Sequence, residues 1–117
     1  MTENTKTLTY SNRRYLDAIA DHIVIFDGAM GTSIQRYNLK AEDFGGEQYN
    51  GMNDYLVITR PDVIEAIHAS FLAVGSEAVE TDTFRSNRLT LKEYGLQERA
   101  LEINRAAAQL ARRVADR

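Results

Sequence analysis

Asp27, Glu80 and Asp82 are the acids whose surroundings best suit chemistry. Asp27 ends an apolar run and leads into DGAMGT, which carries Gly28, Gly31 and Thr32. Glu80 and Asp82 alternate with the hydroxyls of Thr81 and Thr83 in EAVETDTF. A pair of carboxylates can bind an ammonium group, polarise a water or hold a hard metal ion. Backbone N–H groups over residues 28–31, opening onto a helix, can accept a carboxylate. Ammonium and carboxylate together describe a free amino acid, so a small zwitterion suits both ends of the loop. A plainer arrangement uses the same residues structurally, with Asp27 capping the next helix and Glu80 and Asp82 pairing with Arg85 and Arg88. Residue types alone leave both arrangements open. Phosphate binding fits less well, because GAMG lacks the third glycine of a dinucleotide fingerprint and the lysine of a P-loop.

Elements must bring these acids together. Residues 23–26, IVIF, are continuously apolar and β-branched, which predicts a strand buried on both faces. Residues 77–84 predict a second core strand. Residues 15–20 predict a short helix with Leu16 and Ile19 inward, and residues 32–37 another. Residues 38–53 read as a long polar loop holding Gly45, Gly46 and Gly51, and residues 55–58 as a short strand or extended connector. Thr59 and Asp62 are spaced as a capping box around Pro61. Val63, Ile64, Ile67, Phe71 and Val74 then share one helical face before Gly75 stops it. Residues 86–94 form a helix ended by Gly95. Residues 97–114 form a longer one, with Ile103, Ala107, Leu110, Ala111 and Val114 inward. Strand, helix, strand and helix in this order imply parallel βα units, whose ligands bind at the carboxyl ends of the strands. Asp27 and residues 80–83 sit at those ends.

Bulk properties narrow the function classes. The chain has 117 residues, a net charge of −3 and no cysteine. The charge gives no reason to expect nucleic acid or an acidic membrane as partner. The lack of cysteine excludes disulfides, a cysteine nucleophile and thiolate metal ligands from these residues. No apolar run approaches the roughly 20 residues of a membrane span. The expectation is a soluble, cytoplasmic domain over residues 13–117 behind a flexible leader over residues 1–12. His22 and His68 have no partner at metal-ligand spacing, so packing or surface roles suit them. Arg99, Arg105, Arg112 and Arg113 alternate with acids and alanines like a solvated helix face. Tyr49, Tyr55 and Tyr94 are expected in partial core positions.

The stretches IVIFDGAMGTSIQ, NDYLVITRPDVIEAIHASFLAVGSEAVETDTFRSNRLTLKEYGL and EINRAAAQLAR occur in order. Together they resemble the start of the homocysteine S-methyltransferase family, in its cobalamin-dependent branch. The resemblance covers nearly everything after the leader. It implies the N-terminal portion of a (β/α)8 TIM barrel, incomplete in this chain, since even minimal barrels take about 200 residues. It implies methyl transfer to the homocysteine thiol, giving methionine, with zinc held by cysteines and a methyl group carried on cobalamin and replenished from methyltetrahydrofolate.

Carried over by residue, Asp27 accepts the homocysteine amino group. Gly28, Ala29, Met30, Gly31 and Thr32 meet its carboxylate. Glu80, Thr81 and Thr83 line the pocket from the second strand. Asp82 stands where asparagine is common in the family. No catalytic residue and no zinc or cobalamin ligand is expected in this chain, and methyltetrahydrofolate would be reached through other modules. Two rivals are kept. One is a non-catalytic half-barrel that associates with a partner, or with itself through an open sheet edge. The other is a methyltransferase using S-methylmethionine or betaine.

Overall fold

The computed structural model describes residues 10–117, so most of the leader expected over residues 1–12 lies outside the described residues. The described chain is mainly helical: α1 (Arg14–Asp21), α2 (Met30–Gln35), α3 (Leu56–Thr59), α4 (Pro61–Ala73), α5 (Arg88–Leu91) and α6 (Ala100–Ala115). Single 3₁₀ turns at Ala41–Phe44, Glu47–Tyr49, Asn53–Tyr55, Lys92–Tyr94 and Gln97–Arg99 join them.

The two longest helices follow the apolar periodicity. In α6, Ile103, Ala107, Leu110, Ala111 and Val114 are all buried, spaced three and four apart along one stripe. In α4, Val63, Ile64, Ile67 and His68 are buried. The stripe ends earlier than its spacing predicts, because Val74 is 83 % exposed past the last turn. Leu56 and Val57 of α3 fill the space beside them, with Phe44, Met52, Leu91 and Leu96 completing one core. Residues 55–58, read as strand or connector, are therefore the first turn before α4. The capping box also gives way. Thr59 turns its hydroxyl back to the Tyr55 carbonyl, and Arg60 holds Asp62 at 2.9 Å and Asp43 at 2.5 Å. The region 38–53 is not an open loop: Phe44 and Met52 anchor it in the core.

The strand expectations reduce to one contact. Phe26 and Ala78 form an isolated parallel bridge. Glu77 N–H donates to the Ile25 carbonyl at 2.8 Å, and Asp27 N–H donates to the Ala78 carbonyl at 3.0 Å. His22 Nε2 and Glu77, 2.5 Å apart, tie the same two segments. The pairing is parallel, as βα units require, yet no ladder extends from it among the described residues. Burial explains why. Ile23 is 89 % exposed and Ile25 58 %, so beyond the bridge and the edge-on contact of Phe26 with the Tyr15 ring the apolar run is left largely uncovered. Ile19 of α1, expected inward, is likewise exposed, and α1 buries none of its residues.

Candidate functional site

The bridge brings the two acidic loops together. Just beyond it, Asp27 Oδ1 accepts the backbone N–H of Glu80 at 3.1 Å. A cavity of about 430 Å³ opens there. Asp27, Gly28, Ala29, Met30 and Gly31 line one side of it, and Glu80, Thr81 and Thr83 another. Thr32 is exposed in α2 and is not among the lining residues. The hydroxyls of Thr81 and Thr83 lie 2.7 Å apart.

The plainer arrangement of these acids does not form. Ala29 is the N-cap of α2 and no side chain caps that helix. Arg85 pairs with Glu93 at 3.5 Å and Arg88 with Glu98 at 2.9 Å, rather than with Glu80 or Asp82. Gly28 lets the loop lie close to α4: a Cβ there would meet the Phe71 ring at 3.1 Å. Below the loop, His68 is fully buried and neither ring nitrogen has a hydrogen-bond partner among the described residues. Burial holds its pKa below the usual histidine range, and the nearby Asp27 charge only partly offsets this.

Sequence reasoning missed one wall. Gly51, Asn53, Asp54, Phe84 and Arg85 also line the cavity. Asp54 is buried, and its Oδ2 accepts the Arg85 N–H at 2.5 Å and the Ser86 hydroxyl at 2.8 Å. Asp54 sits in NDYL with no spacing that marks it, so no sequence signal singled it out. Asp82 turns inward toward Asp54 rather than pairing with an arginine. Burial pushes its carboxyl up to about 9, and the Asp54 charge adds to the effect.

A family model for homocysteine S-methyltransferase matches residues 24–117, which include every residue of this cavity. The chain belongs to the homocysteine S-methyltransferase family. It is also 41 % identical over 101 residues to a methionine synthase from Mycobacterium tuberculosis (strain ATCC 25618 / H37Rv), a match covering 86 % of this chain. The chain spans 8 % of the length of that relative.

Zinc is the metal the family resemblance implies, and the residues present do not fit it. The chain has no cysteine, and no trio of His, Cys, Asp or Glu among the described residues is placed to hold a metal ion. What these residues offer is a set of hydrogen-bonding groups around one cavity. None of the described helices is long and apolar enough to cross a membrane.

Proposed function

We propose that these residues form the amino-acid-binding part of a homocysteine methyl-transfer site, carried on the first βα units of a (β/α)8 barrel. The observation behind this reading is that Asp27 and the 28–31 turn face Glu80, Thr81 and Thr83 across one cavity. A free amino acid presents an ammonium and a carboxylate a few bonds apart. Asp27 spends one carboxylate oxygen on Glu80 and keeps the other for the ammonium. Met30 and Gly31 begin α2, where backbone N–H groups have no intrahelical partner and can meet the carboxylate. Thr81 and Thr83 supply neutral hydroxyls along the rest of the wall.

In the reaction, the thiol loses its proton, its sulfur takes the methyl group, and the bond to the methyl donor breaks. The residues of this chain bind and orient the amino-acid end, and none is assigned to the bond-making step. Zinc and cobalamin chemistry is assigned to the complete enzyme, with methyltetrahydrofolate as ultimate methyl source and the cytoplasm as its setting. Titrating the chain with L-homocysteine, in a calorimeter, tests the reading. Saturable binding that weakens in Asp27→Asn supports it, and absence of binding overturns it. The chain alone is expected to form no methionine from homocysteine and a methyl donor.

A second reading is favoured by the exposed apolar residues around the bridge. Ile23, Ile25 and Phe26 are exposed on one segment, and Phe84 is 94 % exposed beyond the other. Such an edge is suited to self-association.

A further inference from the structure

In the wall of the cavity, two buried carboxyl groups lie close together. Asp54 is 3 % exposed and Asp82 is 5 % exposed. They are within hydrogen-bonding reach of each other. Arg85, on the same loop, sends its guanidinium away to Glu93 and over the Tyr94 ring. Two ionised carboxylates cannot share so small a space without a cation, so one proton lies between them. Asp54 already accepts two donors, the Arg85 N–H and the Ser86 hydroxyl. The proton therefore resides on Asp82. Its Oδ2 has no hydrogen-bond partner among the described residues. That is tolerable for the carbonyl oxygen of a neutral acid and costly for a carboxylate.

We propose that Asp82 and Asp54 are positioning residues that form a proton-dependent clamp on the cavity wall. Protonated Asp82 donates to Asp54, and Asp54 fastens the Arg85–Ser86 backbone to the Asn53–Tyr55 turn. Asn104 of α6 closes the far side by donating to the Ser86 carbonyl at 2.7 Å. Thr81 and Thr83 flank Asp82 in sequence, so the clamp fixes the hydroxyls that face the cavity. The other charged groups around it are Asp27 and Glu80 at the cavity mouth and Arg85 on the same loop. None of them supplies a cation to Asp82. That this wall contacts homocysteine rests on the reading above; the clamp itself does not.

The sign of the pH dependence follows from the proton. Opening the wall returns Asp82 to water, where a carboxyl ionises near pH 4. Opening therefore releases a proton and is favoured as pH rises, by up to about tenfold per pH unit. The effect levels off above the pKa of Asp82 in the closed state, about 9.

The test follows the whole chain by amide exchange and carboxyl-carbon NMR. At neutral pH one aspartate carbon should report a protonated acid, and that signal should vanish in Asp82→Asn. Protection of the Arg85 and Ser86 amides, corrected for the intrinsic exchange rate, should fall with pH in the native chain. It should stay flat in Asp82→Asn, whose side-chain N–H still donates to Asp54. In Asp54→Asn the removed charge should move the aspartate titration to lower pH. A fully ionised set of aspartates at neutral pH overturns the clamp, and this measurement needs no variant to fold. Equal pH slopes in the native chain and Asp82→Asn overturn it as well. Homocysteine titration separates the two readings. A proton-dependent wall in a chain that binds no homocysteine supports the clamp and overturns the substrate instead.

Discussion

The Asp27 carboxylate accepts the Glu80 backbone N–H at 3.1 Å, joining the ends of two extended segments 53 positions apart. One oxygen is thus structural and the other is available to a ligand. The two roles separate by substitution. Asp27→Asn keeps an oxygen for Glu80 and loses the charge, so the fold should persist. Homocysteine binding should weaken by about tenfold to a hundredfold, the usual worth of a hydrogen bond to a charged group. Asp27→Ala loses both, and should cost about 0.5–1.5 kcal/mol of stability in addition. Calorimetric titration and thermal unfolding of both variants measure the split.

His68 gives the fold an acid-sensitive limb. It is buried without hydrogen-bond partners among the described residues, and its pKa is lowered by that burial. A lowered histidine leaves the folded state neutral while the unfolded chain takes up a proton below about pH 6.5. Stability from this residue is complete above that pH and falls as pH drops toward the folded pKa. His68→Leu should flatten this limb and leave neutral-pH stability equal or higher, since an unsatisfied buried polar group costs about 1–3 kcal/mol. Asp82 acts in the opposite sense, because its raised pKa weakens the fold as pH rises between its ordinary range and about 9. Comparing each variant with the native chain across pH isolates the two contributions.

Legibility in the sequence tracked how local each signal was. The α6 stripe repeats over four turns, so Ile103 to Val114 could be placed from spacing alone. Phe44 and Met52 are single apolar residues in a polar stretch, and nothing local distinguishes them from surface positions, so the turns of 38–53 were read as open loop. Residues 23–26 carry the pattern of a doubly covered strand, but pattern reports only a need for cover, and Ile23 has none. The cavity was legible from Asp27 and residues 80–83 because the parallel pairing of the two segments puts both at one end. Its third wall was not, since the Asp54 contacts to Arg85 and Ser86 are made only by folding.

The core should respond to truncation at Leu56. This residue is fully buried in α3, which packs on both α4 and α6. Leu56→Ala leaves a gap where α3 meets the two helices it packs on. A loss of about 2–5 kcal/mol is expected. Leu101→Ala, on the exposed face of α6 at 69 % exposure, should change stability little. Denaturant unfolding of the two variants compares them directly.

The exposed segment beside the bridge leads to the last expectation. Ile23 and Ile25 have unpaired backbone on one side and apolar side chains in water, the two conditions under which strand edges associate. Covering either side chain contributes about 1.5–3 kcal/mol, so a few such residues suffice for micromolar association. Sedimentation should show the chain forming larger species as concentration rises, and Ile23→Lys with Ile25→Lys should return it to monomer. Neither side chain lines the cavity, so homocysteine binding should survive the double substitution. A chain that stays monomeric and unfolds cooperatively at high concentration removes self-association as a reading, and leaves the amino-acid site untouched.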